Sequence, residues 1–143
     1  ILTAGDRARV AAVEDIVRKR PALGARELLG LIRVPVTTHR ASYQKMTTRR
    51  GLEMALVAVA ISCRMSGEVV ADAKIALAGV APSVMRARSA EEALIGSRLG
   101  PEIAQVAGER AAAASQPTSD ERASAQYRRS LVATLTQRAV MEL

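Results

Sequence analysis

The side chains able to do chemistry are few and far apart. The 143 residues include one histidine, His39, and one cysteine, Cys63. His39 stands in the polar stretch 37–40, without the Cys or carboxylate companions that let several ligands converge on one metal ion. Serines are present, but acyl transfer needs a base poised against the hydroxyl, and no nucleophile-elbow sequence accompanies the single histidine. Cys63 lies within an apolar run, where a buried thiol is inert. A lone cysteine also excludes an intramolecular disulfide and any cysteine-built cluster. The glycines stand singly at turns, and neither GxGxxG nor a Walker loop is present. These residues predict a domain with no catalytic residues and no metal ligands of its own.

Charge and composition narrow the classes further. With 21 Lys and Arg against 14 Asp and Glu, the net charge is +7, which favours anionic partners in general. The cations are scattered in pairs such as Arg49-Arg50 and Arg128-Arg129, however, and Tyr43 and Tyr127 are the only aromatics. Bases would find little to stack on. A solvated basic surface, or a face for an acidic partner subunit, is the reading preferred over a nucleic-acid site. The longest apolar run, residues 54–61, is too short to cross a bilayer. No secretory signal opens the chain, and the cysteine usage fits a reducing cytoplasm. Because the first residue is Ile1 rather than Met, the reading is a processed N-terminus or a piece of a longer chain.

The elements that must position these residues follow from periodicity. Gly5-Asp6 between apolar stretches reads as a hairpin turn or as the end of an element that began upstream. Residues 26–30 read as a helical turn and 31–34 as a strand ended by Pro35. Residues 41–47 read as a strand, and 51–55 as a turn of helix. Residues 55–65 and 68–80, joined by Ser66-Gly67, form the strongest hairpin signal, with Val69, Ala71, Ala73, Ile75 and Leu77 on one face. From Ser89 the period becomes helical. Ser89 with Glu92 has capping-box spacing, and Gly96 closes that helix. Pro101 suits a first helical position, and Pro117 stops the helix that follows. Thr118 with Glu121 predicts a second capping box and a helix from about 121 onward, with Tyr127, Leu131, Leu135 and Ala139 recurring along one face. The class is α+β: a small antiparallel sheet of three to four strands against about three helices.

Four ordered blocks then carry a resemblance. Tyr43-Gln44-Lys45-Met46-Thr47-Thr48-Arg49-Arg50 with Glu53, Ala55, Leu56 and Val57 comes first. Ile75-Ala76-Leu77-Ala78-Gly79-Val80-Ala81-Pro82 with Arg86-Ala87 follows, then Glu91-Glu92-Ala93-Leu94-Ile95-Gly96, and finally Asp120-Glu121-Arg122-Ala123-Ser124-Ala125-Gln126-Tyr127-Arg128-Arg129. In order and spacing they resemble the C-terminal domain of the FAD-binding medium subunit of molybdenum hydroxylases, the xanthine dehydrogenase and carbon monoxide dehydrogenase flavoprotein family. Gly5-Asp6-Arg7 and Glu27-Leu28-Leu29-Gly30-Leu31-Ile32-Arg33-Val34-Pro35 are similar to the end of that family's FAD-binding domain.

The resemblance implies residues 1–38 as the end of the FAD-binding domain with its linker, and 39–143 as the C-terminal domain. It implies an electron-transfer role between iron–sulfur clusters, FAD and an acceptor, in a subunit not catalytic by itself. The cofactors would be FAD in the medium subunit, with a molybdenum cofactor and two-iron iron–sulfur clusters in partner subunits. The partners would be a molybdopterin-binding large subunit and an iron–sulfur small subunit of a hetero-oligomer. Two family flavin contacts map here. Leu29 would cover part of the ring system, and Lys45 would hydrogen-bond a carbonyl at the pyrimidine edge. The bland alternatives are a core leucine and a solvated strand lysine. The glycine-rich loops that cradle the FAD pyrophosphate have no counterpart and would lie before Ile1. The rival to the whole reading is a non-catalytic interaction module derived from the same fold. Arg49 and Arg50 read as structural, bonding carboxylates such as Glu53 or backbone carbonyls, and Asp120 and Glu121 as helix-start residues.

Overall fold

The computed structural model describes residues 2–4, 7–18, 23–49 and 54–143. The chain forms two compact units, Ile1–Thr37 and Thr38–Leu143.

In the first unit β1 (Leu2–Ala4) pairs antiparallel with β2 (Arg7–Arg9), Ala4 opposite Arg7. That is the ladder of a hairpin, although Gly5 and Asp6 themselves lie outside the described residues. Helix α1 (Val13–Arg18) was not anticipated, although Val13, Ile16 and Val17 have helical spacing and Glu14 and Asp15 favour the positive end of the helix dipole. Strand β3 (Leu28–Leu29) adds to the other edge of β1. The expected strand at 31–34 does not form. The two leucines before Gly30 take the ladder position instead, and Leu31, Ile32 and Val34 are exposed outside it. No helical turn forms at 26–30 either. A hydrogen bond from the Glu27 amide to the Gly24 carbonyl, 2.9 Å, makes the turn that feeds β3.

In the second unit, β4 (Arg40–Met46), β5 (Val57–Ser66), β6 (Val69–Ala78) and β7 (Met85–Arg86) form an antiparallel sheet in that order. The expected α+β class holds. Helices α2 (Arg88–Leu94), α3 (Pro101–Ala114) and α4 (Ala125–Met141) cover one face, with α4 on β4 and β5, α2 on β6, and α3 against both other helices. Val57, Val59, Ile61 and Cys63 of β5 and Ala73, Ile75 and Leu77 of β6 form the sheet side of the core. Each fully buried Val, Leu or Ile contributes about 1.5–3 kcal/mol, so aliphatic burial suffices without Phe or Trp. Residues 51–53 lie outside the described residues, and Met54 and Ala55 are in neither helix nor strand.

Three local expectations fail for identifiable reasons. The period-two face of β6 does not run unbroken, because Arg64 pairs with Asp72 while Met65 pairs with Val70. Ala71 is thus the extra residue of a β-bulge, and the alternation slips by one. Val70 is therefore buried and Val69 exposed. The Ser89–Glu92 capping box is not made: α2 begins after Ala87, and Glu91 is the acidic residue buried in its first turn. Nor do Thr118 and Glu121 cap α4. Ser124 does, its hydroxyl accepting from the Tyr127 amide at 3.1 Å. The buried stripe of α4 runs through Arg128, Leu131, Val132, Leu135, Thr136, Ala139 and Val140, leaving Tyr127 half-exposed. Pro101 does open α3, and Gly96, at φ +81°, follows the end of α2.

Candidate functional site

The sheet carries helices on one face, so alternate residues of its strands point to the other. Register assembles that outer face in rows. Ala41, Ser62 and Lys74 are cross-strand neighbours, as are Tyr43, Ala60 and Ala76, and then Lys45, Ala58 and Ala78. Small residues, Ala58, Ala60 and Ser62, therefore run down the centre of the face, flanked by Tyr43 and Lys45 of β4 and by Lys74 of β6. Strand β4 is an edge strand, so Lys45 and Tyr43, both exposed, stand at a border rather than under neighbours. Neither Lys45 nor Lys74 has a carboxylate partner among the described residues. Ala41, Tyr43, Ala60, Ser62, Lys74 and Ala76 line an open hollow of about 410 Å³. At its rim His39 Nδ1 is 3.1 Å from Ser62 Oγ.

Leu29 belongs to the N-terminal unit and is 49% exposed, so the core alternative does not describe it here. With Val10, Val13, Leu31 and Ile32 it lines a largely apolar hollow of about 370 Å³. The turn before it is fixed by Glu27, whose carboxylate accepts from Arg9 at 2.6 and 2.8 Å and from the Gly24 amide at 2.8 Å. These bonds, Arg9 first, lower the Glu27 pKa to about 2.

Several residues in the recognised blocks turn out to hold the fold. Glu91 is buried, and its carboxylate accepts from the Ile75 amide at 2.9 Å and from Arg86 at 2.5 and 2.7 Å. Arg128, 4% exposed, donates to the carbonyls of Leu56 at 2.6 Å and Gly79 at 3.3 Å. Its other nitrogen makes two bonds to Asp120, at 2.7 and 2.8 Å. Asp120 is thus the counter-ion of a buried arginine, not a helix-start residue, and Arg128 holds its carboxyl well below the usual range. Arg50 and Glu53 lie outside the described residues. Burial pushes the Cys63 thiol up to about 11. Tyr43, Lys74 and the His39–Ser62 pair were not anticipated as a group. The signal was available only through register, since β4 and β6 meet across β5. Among the described residues no cluster of three His, Cys, Asp or Glu could hold a metal, and no helix is long and apolar enough to cross a membrane.

A four-stranded antiparallel sheet backed by helices on one face and tied by buried ion pairs defines a small α+β domain. Residues 41–143 match the CO dehydrogenase flavoprotein C-terminal domain, and the chain belongs to that family. It is 34% identical to the carbon monoxide dehydrogenase medium chain of Afipia carboxidovorans, covering 97% of this chain and 49% of that one. It is 32% identical to the glyceraldehyde dehydrogenase medium chain of Sulfolobus acidocaldarius, covering 82% and 42%. The fold superposes on carbon monoxide dehydrogenase from Hydrogenophaga pseudoflava with a TM-score of 0.78 at 33% identity, covering 84% and 42%. Quinoline 2-oxidoreductase from Pseudomonas putida 86 gives 0.78 at 30% identity, with the same coverage. The resemblance read from the four blocks is borne out. The chain spans less than half the length of these relatives.

Proposed function

We propose that this chain works in the flavin-bearing electron-transfer subunit of a molybdenum hydroxylase, with Lys45 and Leu29 at the edge of the flavin. The observation that carries the reading is Lys45 itself: an exposed ammonium with no carboxylate partner among the described residues, on an edge strand, in a row with Ala58 and Ala78. Ala58 is buried and Ala78 partly so, so the ammonium is the group that row presents, and it can donate to a ring carbonyl and offset negative charge there. Leu29 supplies half-exposed apolar surface suited to covering a ring. FAD, when bound, supplies the two-electron carrier; the residues described here position and polarise its rim. They do not fit its pyrophosphate, because the glycines at positive φ among the described residues, Gly67, Gly79 and Gly96, are isolated turn residues rather than a cradle. The partners this reading requires are a molybdopterin-binding large subunit and an iron–sulfur small subunit, the molybdenum centre oxidising substrate and two-iron clusters relaying electrons.

Two measurements test it. Fluorescence titration of the 143-residue chain with FAD should show no saturation at micromolar concentration; tight binding would overturn the division between rim and cradle. Co-expression with a large and a small subunit should yield a flavin-containing complex in which Lys45→Met shifts the flavin absorption spectrum and potential. A complex that forms without flavin would favour the interaction-module alternative.

A further inference from the structure

We propose that the hollow between Tyr43 and Lys74 on the outer sheet face binds a small aromatic anion, a planar ring bearing a carboxylate or phosphate. The hollow occupies the two rows beyond Lys45, and the proposal stands whether or not Lys45 meets a flavin.

Each part of such a ligand has a partner in this hollow. The floor, Ala41, Ala60 and Ala76, has side chains short enough for a ring to lie against the sheet. Tyr43, 62% exposed, forms one wall and offers an aromatic surface at little conformational cost. Lys74 faces it from the far strand, one row along and two strands across. At ordinary sheet spacings that separates their backbones by about 12 Å, which the two side chains narrow from either side. With no acidic partner among the described residues, its ammonium is available to an anion. Asp72, the nearest acid along β6, lies opposite Arg64 in the next row out and makes no ion pair with Lys74.

The His39–Ser62 contact adds direction. Ser62 sits between Ala41 and Lys74 in the same row. If its hydroxyl donates to Nδ1, only lone pairs face the hollow. With the proton on Nδ1, the imidazole donates and the serine hydroxyl is free to donate outward. An anion beside Lys74 therefore selects the Nδ1-protonated imidazole, a consequence that a merely structural contact would not have.

The test is an NMR titration of the whole chain with AMP, adenosine and inorganic phosphate as separate probes. AMP should shift the Tyr43, Ser62, Lys74 and Ala76 amides saturably and bind more tightly than either probe that lacks the ring or the charge. It should also move the His39 long-range ¹H–¹⁵N pattern toward Nδ1 protonation. Lys74→Gln should weaken AMP binding roughly fivefold, the size expected for one exposed charge. Tyr43→Leu should erase the preference for AMP over phosphate, while Lys45→Gln leaves AMP affinity within about twofold. Equal, unsaturable shifts with all three probes would overturn the site. So would perturbation spread over other basic surfaces, or a Lys74→Gln variant that binds AMP as the unmodified chain does. Loss of the Lys45 flavin signature with AMP binding intact would count against the flavin reading alone.

Discussion

The guanidinium of Arg128 joins three segments that are distant in sequence: the start of β5, the end of β6 and the loop before α4. Replacing it with Met would strand two carbonyls and a carboxylate, a loss of about 3 kcal/mol by the usual penalty for unmade buried bonds, visible as a lower urea midpoint. The same carbonyl of Leu56 crowds Gly79, which has φ +78°. A methyl group there meets backbone while the residue is held in a left-handed conformation, so Gly79→Ala should destabilise by roughly 3 kcal/mol. Asp120 links this lock to pH. Its folded pKa lies below its unfolded value of about 3.9, so its contribution is complete above that value and is lost progressively as pH falls from there through the folded value. Urea midpoints should drop between about pH 5 and 2, and Asp120→Asn should flatten that drop. Cys63, buried with its thiol raised to about 11, should resist iodoacetamide at pH 8 until denaturant is added. Its inertness was legible in the sequence because an apolar strand surrounds it. The Asp120–Arg128 pair was not: eight residues apart around a helix start, they meet only because Ser124, not Thr118, begins α4.

Elements were most legible where pattern alone decides them. The β5–β6 hairpin follows from two long β-branched runs and a Ser-Gly turn, and Gly67 does take φ +60°. The bulge at Ala71 was hidden because both Val69 and Val70 are apolar, so either alternation satisfies the sequence. Caps failed for the opposite reason: serine or threonine three residues before a glutamate occurs twice by spacing alone, whereas the real cap, Ser124, is followed at that position by Tyr127. Helix contact is set by Gly108. A methyl there would lie 2.7 Å from the Ala133 carbonyl of α4 and 2.9 Å from Gln137 Cγ. Alanine gains up to about 1 kcal/mol in helix propensity, but overpacking against backbone loses about 1–3 kcal/mol. Gly108→Ala should therefore be net destabilising by about 1 kcal/mol in urea unfolding, since α3 must move away from α4.

At the scale of the molecule, stability is divided unequally. Among the described residues the buried core runs from residue 56 onward, with Met46 packed against it, and it lies within the unit Thr38–Leu143. Its strands bury Val, Ile and Leu against three helices, a core of the kind that sustains cooperative unfolding in domains of this size. Among its described residues the unit Ile1–Thr37 has short strands and one short helix, and it exposes Val10, Val13, Leu28, Ile32, Val34 and Val36. Segments below about 40 residues rarely hold a fold without a disulfide, a metal or a partner. The Arg9–Glu27 pair is largely solvated, so it does not change that balance. Deleting residues 1–37 should then leave the urea midpoint of the remainder within the range expected for distant sites, about 0.5 kcal/mol. In the intact chain, amides of β5 and β6 should exchange only on global unfolding, and those of α1 and β3 orders of magnitude faster. Slow exchange throughout both units, or collapse of residues 38–143 on truncation, would show that the fold is one cooperative body and that its N-terminal part contributes to the core.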